Sequence, residues 1–379
     1  MGKVGARVLA FAWVVAGCGG GHVVREPDAG PGTGGSGGTS DADAAAPSGS
    51  SDGAVDANRS ADAGADGGPS SGALAWRLLS APAIGIDRVT TIWGSGASDI
   101  YLGTQNGNVF HLGRSGTWSN RQISVGQVTA IWGSGPADVY LAADMAASIF
   151  HSAGDDVWTS VDLPVAYPAV KGIWGSGSGN VYAVGGAGPI FHLTGSTWAS
   201  ELTFQMGRVT LYGAWGSGPN NVYSIKSGGD SVWRSTGTDD WAPESTNAPN
   251  LTAHLWGSGA SDVYMTLAPY NLDMGPTQVI HSPGDGHWSS QLAVASYRLN
   301  ALWGSGSDDV YAGGVHVNAQ NVSDAAALYH TTGDGVWTAV PLDVPGLLTL
   351  DCIWGSSARD VYLAVTTNQF TAALLHGTR

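Results

Sequence analysis

The chain has 379 residues, with 58 Gly and 16 Trp, and sets 15 Lys plus Arg against 30 Asp plus Glu for a formal charge of −15. No basic run exists to neutralise phosphates, which argues against a nucleic-acid partner. Charged residues make up only 12% of the chain, which argues against a long solvated helix or coiled coil and leaves a glycine-rich, tryptophan-rich β protein.

Residues 1 to 17 combine a basic start (Lys3, Arg7), an apolar stretch from Val8 to Val15 and small residues, which is the pattern of a signal peptide. The stretch is short of the roughly 20 residues that span a bilayer. Val15-Ala16-Gly17-Cys18 resembles the lipobox of bacterial lipoproteins, so Cys18 is expected to be lipidated and to become the first mature residue. The resemblance implies a lipid-anchored envelope protein, and Gly19 in place of Asp favours the outer membrane, facing the periplasm or the exterior. Cys352 is the one other cysteine, so an internal disulfide is not expected. It falls where the other repeats carry Thr91, Ala130, Gly172, Gly213, His254 and Ala301, and is read as a small packing residue. Residues 19 to 72 hold 15 Gly, 10 Ala, 8 Ser and 7 Asp, with no aromatic residue, Leu, Ile or Met. Such a segment buries too little apolar surface to offset its ordering entropy and reads as a disordered tether, with a reach on the order of 40 Å.

After residue 73 the chain repeats itself. Trp-Gly-Ser recurs seven times, at Trp93, Trp132, Trp174, Trp215, Trp256, Trp303 and Trp354, at intervals of 39, 42, 41, 41, 47 and 51 residues. Six positions on stands Asp or Asn, and eight positions on stands Tyr every time. A His follows in six repeats (His111, His151, His192, His281, His330, His376), with Arg234 replacing it in the fourth. A Gly-containing turn and a second tryptophan complete the unit. Four short β runs in about 40 residues predict one propeller blade per repeat. The last unit lacks its fourth strand, while an orphan strand around Trp76 precedes the first. Pairing the two closes a seven-bladed ring over 73–379 and removes two open sheet edges; an open solenoid would leave Trp76 unexplained.

Within each unit the glycines of Gly-Ser-Gly are expected to supply positive φ, and the Asp or Asn to bond backbone N–H groups. The tryptophans and tyrosine are expected to fill the gaps between blades. A carboxylate ring for a metal is disfavoured by Asn180 and Asn221. A zinc site is disfavoured because the histidines fall on different blades, so they are read as structural and no metal or cofactor is expected.

The interval from repeat Tyr to the His position is 10 or 11 residues in blades one to four, then 17, 19 and 14. The longer connections, about 266–278, 313–327 and 364–373, fall on adjacent blades and on one face of the ring. Loops that depart from a rigid scaffold are where binding resides. Tyr270, Asp273, Met274, His316, Asn318, Asn321 and Asp324 are therefore the candidate binding residues. His254 joins them because its first-strand position otherwise holds mostly small residues.

The repeat Trp-Gly-Ser-Gly-x-x-Asp-Val-Tyr with Phe-His and Gly-x-x-Trp resembles those of bacterial lipoproteins with propeller folds, and more distantly the Kelch, BNR and Ycf48-like photosystem II assembly factor propellers. The resemblance implies the fold and no single activity. Asp285-Gly286 and Asp334-Gly335 are only a shortened version of the Asp-box of sialidase propellers, and no nucleophile elbow, phosphate loop or His-Glu-x-x-His occurs. The expected function is a monomeric, membrane-tethered binding module for a protein or glycan of the envelope or exterior. A polysaccharide hydrolase or lyase, and an envelope assembly scaffold, are the alternatives.

Overall fold

The computed structural model describes residues 73–80, 82–124, 126–144, 148–164, 169–186, 189–203, 210–226, 229–237, 240–250, 252–269 and 272–379. The signal segment, Cys18 and the linker to residue 72 lie outside the described residues, as does Tyr270. Seven four-stranded antiparallel sheets follow one another. Blade two is representative, with strands Val128–Gly135, Asp138–Ala143, Ser148–Ser152 and Thr159–Asp162. The first strand of each blade packs on the first strand of the next, and that of blade seven packs on that of blade one, so the ring is closed. Closure comes from the chain ends as expected: Ala75–Leu78 pairs antiparallel with Ala372–Thr378, Ala75 opposite Thr378 and Leu78 opposite Leu375.

The glycine after each repeat tryptophan is needed for close approach. It does not adopt the positive φ that the sequence suggested; glycines such as Gly107 and Gly154 do. A Cβ on Gly133 would lie 2.6 Å from the Trp93 ring of the preceding blade and 2.6 Å from the Asp138 carbonyl. The same contact recurs at every seam, ending with Gly94 against Trp354. Each first-strand indole thus sets the outer edge of its six-membered ring against the backbone of the next blade, where even a methyl group has no room. Trp132, Trp303 and Trp354 are among the largest fully buried side chains.

In blades two to six the second indole closes the same seam from outside. Trp158 of blade two meets Tyr101 of blade one edge-on at 6.2 Å, and Trp198, Trp241, Trp288 and Trp337 repeat the contact on Tyr140, Tyr182, Tyr223 and Tyr264. Behind the tyrosine the repeated Asp bonds side chains, where backbone N–H groups were expected. Asp309 Oδ1 accepts from His330 Nε2 at 2.9 Å and its Oδ2 from the Ser305 hydroxyl at 2.6 Å. His151, His281 and His376 make the same bond to Asp138, Asp262 and Asp360. In blade four Arg234 takes the histidine's place, donating to Asn221 at 2.8 Å and pairing with Glu244. The histidines are therefore structural, as their spacing implied.

Cys352 is fully buried on its first strand.

His111 is the most constrained of the set, stacked on Tyr101 at 3.9 Å and held between Asp99 (2.8 Å) and Asp156 of the next blade (2.6 Å). Burial alone would lower its pKa, but the hydrogen bonds to the two carboxylates outweigh it and raise the value above the ordinary 6.5. A raised folded pKa stabilises the fold fully below pH 6.5, and that contribution is lost as pH rises through the folded value. Asp262 and Asp309 run the other way. Burial opposes ionisation, yet hydrogen bonds from His281 and Ser258, and from His330 and Ser305, hold both below 3.8, so their contribution is lost as pH falls. His111→Gln is expected to flatten the decline of urea-unfolding stability on the alkaline side while leaving the acid limb intact. An unchanged alkaline slope would assign that limb to other groups.

Candidate functional site

Alternating strand direction puts the first-to-second and third-to-fourth turns of every blade on one face and the remaining connections on the other. On that second face blade six departs most from the repeat. Its second and third strands, Asp309–Val317 and Ser323–Thr331, have nine residues each, whereas the second strands of blades one to four have six. The surplus residues expected to form a loop are thus mostly strand. The sequence supports this through period-two alternation: Val315 and Val317 are buried, and His316 between them is turned outward.

His316 Nδ1 lies 2.6 Å from Asp324 Oδ1 on the adjoining strand, with the side chains 33% and 41% exposed. Tyr297, opposite His316 in register, meets its ring edge-on at 4.9 Å and the Tyr329 ring at 5.9 Å. Burial, and then the neighbouring Tyr297, push the Tyr329 phenol up to about 12. With Nδ1 committed to Asp324, Nε2 is the other ring nitrogen that can donate or accept a hydrogen bond. At the hairpin tip the Asn318 side-chain oxygen accepts from the N–H groups of Gln320 (3.0 Å) and Val322 (3.1 Å), and Asn321 holds a φ of 60°. Both asparagines therefore shape the turn that carries the site.

The structure gathers His316, Asn318, Asn321 and Asp324 on one hairpin. Asp273 stands exposed on the short turn Leu272–Met274 of blade five, a separate element that also contains Met274. His254 is not on the variable surface at all. It lies on the first strand of blade five, 3% exposed, with neither ring nitrogen hydrogen-bonded. Burial lowers its pKa to about 4, so the ring is neutral at pH 7.

Sequence reasoning missed Phe370. Three connections on this face share one loop form, in which the fourth residue donates its N–H to the carbonyl of the first: Gly107 to Thr104, Asn321 to Asn318 and Phe370 to Thr367. That residue is left-handed in each, with φ of 83°, 60° and 59°. Glycine and asparagine tolerate this conformation and a bulky residue does not. Phe370 is nevertheless 72% exposed, so no burial offsets the strain. Ile86, 83% exposed, follows Gly85, whose carbonyl accepts from the Ala372 N–H at 2.7 Å, which adds a second apolar side chain near the same loop. An exposed aromatic residue in a strained loop is what a loop-period argument cannot detect, because it needs φ. Among the described residues no cluster of three or more His, Cys, Asp or Glu is placed to hold a metal ion.

No protein-family model and no curated protein matches the sequence. Solved structures match the fold. The chain is similar to YCF48 bound to D1 peptide (14% identity, TM-score 0.60, covering 80% of this chain and 97% of that one). It is also similar to a catalytically inactive virginiamycin B lyase from Staphylococcus aureus with quinupristin (12% identity, TM-score 0.63, 80% and 98%). A third is the GH74 xyloglucanase of Xanthomonas campestris, of which it spans about half the length (14% identity, TM-score 0.60, 78% and 52%). At such identities these likenesses establish the propeller scaffold alone.

Proposed function

We propose that this propeller is a membrane-tethered, extracytoplasmic binding module that recognises a protein or glycan through the face built by blades five to seven. The observation that carries the reading is Phe370: strain and exposure together are retained on a loop that two other blades build with Gly or Asn. Such outliers collect at ligand-contacting sites. The His316–Asp324 pair and Tyr297 supply polar and aromatic groups on the neighbouring blade. Ala75 pairs with Thr378 at the face opposite these loops. Among known propellers of the same scaffold are a peptide-bound protein, a lyase and a xyloglucanase, so both ligand classes and catalysis have precedents on this fold.

Lipidation of Cys18 belongs to the same proposal. Mass spectrometry of membrane-extracted protein tests it by reading lipid on the peptide that begins at Cys18.

Phe370→Gly is expected to raise unfolding stability by about 1 kcal/mol, by relieving a left-handed bulky residue. It is also expected to lower affinity at least tenfold for whatever glycan or envelope protein the wild type captures in array and cross-linking experiments. Asp324→Asn is expected to weaken the same ligand. A gain in stability with unchanged binding would remove Phe370 from the ligand site. Cleavage of a captured polysaccharide that His316→Gln abolishes would favour the hydrolase or lyase reading instead.

A further inference from the structure

The outer edge of blade six is left open. Its third strand, Ser323–Thr331, has nine residues and its fourth, Thr338–Ala339, has two, whereas the fourth strands of blades one to five have four to ten. One residue explains the difference. In each of those five blades the fourth position after the second tryptophan pairs with the third strand, as Gln122 does with Asn108, Leu202 with Ile190 and Leu292 with Val279. Blade six has Pro341 there. Proline has no N–H to give the ladder and stops the pairing. The last bond runs from the Val340 N–H to the Leu328 carbonyl at 2.8 Å, and beyond it Leu342 and Val344 pack into the core that blades six and seven share.

The ladder fixes which way the uncovered groups point. The N–H and C=O of a strand residue face the same neighbouring strand, and successive residues alternate. Leu328 bonds outward to Val340, and no register shift separates it from Ala325. Ala326 therefore also points outward, while Ala325 and Ala327 point inward to the second strand. Among the described residues no group bonds to Ala326 on its outward side. Blade seven caps the corresponding position, where the outward Ala372 N–H donates to the Gly85 carbonyl at 2.7 Å. In blade six Asp324 and Ala325 are exposed and Ala326 and Ala327 half-buried, so the edge is accessible, and three successive alanines put no bulk in front of it. An accessible row of unpaired backbone groups is a template for another strand.

We infer that this edge docks an extended polypeptide segment carrying Lys or Arg, which adds as a strand beside Ser323–Thr331 where the short fourth strand leaves it uncovered. Backbone bonds to Ala326 hold the added segment in register. The exposed Asp324 at the start of the edge, in a chain of formal charge −15, selects a basic segment. The same charge opposes a second copy of this chain, since edge-to-edge pairing would bring two acidic proteins and both Asp324 side chains together. The inference deepens the proposed function and rests on it: the edge is the outer side of the hairpin that carries His316 and Asp324, and the partner it takes is a polypeptide.

The test uses the purified protein and the labelled peptide KVTVKVT, with KVTPKVT and EVTVEVT as controls. Binding is read by fluorescence anisotropy, and the edge itself by NMR amide hydrogen exchange. In the free protein the Ala326 N–H is expected to exchange at least tenfold faster than that of Ala327, which is bonded inward. KVTVKVT is expected to bind at least tenfold more tightly than either control and to slow Ala326 exchange at least tenfold. Ala326→Pro, which removes the outward N–H, is expected to lose at least tenfold in affinity at an unchanged melting temperature. Asp324→Lys is expected to reverse the preference between KVTVKVT and EVTVEVT, a readout that stands even where Ala326→Pro fails to fold. A protected Ala326 in the free protein, equal binding of KVTPKVT, or binding without slowed Ala326 exchange would each overturn the inference. Protection of Ala326 by self-association, or by a captured glycan and not by the peptide, would give the edge to another occupant and overturn it too. Failure of the edge is distinguishable from failure of the face. If Phe370→Gly loses the captured ligand while no peptide binds, the face stands and the edge falls; if KVTVKVT protects Ala326 while Phe370→Gly captures as before, the edge stands without Phe370.

Discussion

Trp303→Ala is expected to lower unfolding stability by about 3–5 kcal/mol, the cost of removing a large aromatic side chain from a filled core. The indole is fully buried, and its outer edge lies against Gly355 of blade seven. The reciprocal change tests the same contact from the other side. A Cβ on Gly355 would sit 2.6 Å from the Trp303 ring and 2.6 Å from the Asp360 carbonyl, so Gly355→Ala has to move either an indole or a backbone. In the double variant the truncated indole leaves room for the methyl group, and the two effects are expected to be less than additive by more than about 1 kcal/mol. Urea unfolding of the four proteins measures this coupling. Strict additivity would mean that the Asp360 carbonyl, and not the indole, is what requires glycine.

Removal of the closing strand is the second large effect. A chain starting at residue 80 loses the pairing of Ala75–Leu78 with Ala372–Thr378 and the packing of Trp76 over Gly377, whose Cβ position lies 2.6 Å from that ring. The Ala372–Thr378 strand, with Leu374 and Leu375 buried, then becomes an open edge. Open apolar edges pair with other chains, so the truncated protein is expected to melt at lower temperature and to aggregate on size-exclusion chromatography. A peptide spanning 73–80 added in trans is expected to restore the monomer, as strand addition does at other sheet edges. A truncated protein that stays monomeric with an unchanged melting temperature would show that the seven inner strands alone hold the ring.

The repeat unit was legible because each of its parts solves the same local problem seven times. The indole at Trp132 and the glycine at Gly175 are 43 residues apart; the regular interval puts them on neighbouring blades, and the structure shows that they meet. The physical reason for that glycine was not legible, because a glycine needed for positive φ and one needed for close approach look alike in a sequence. Nor was the length of the blade six strands. The long interval at about 313–327 was expected to be loop, but Val315 and Val317 bury themselves on the pleat and carry the ladder onward to the turn at Asn318.

By itself the sequence determined the number of blades, their strand order, the closure by the chain ends and the sector of the ring where the pattern breaks, since these follow from periodicity and from the missing strand of the last repeat. Tertiary structure alone decided which departures matter. His316 and Asp324 are eight residues apart, and it is the pairing of the two long blade six strands that brings their side chains to 2.6 Å. Phe370 and Gly107 occupy the same loop position, and only their shared left-handed backbone reveals that one of them is strained. In both cases the energy lies in a comparison between a side chain and its surroundings, which a residue-by-residue pattern does not contain.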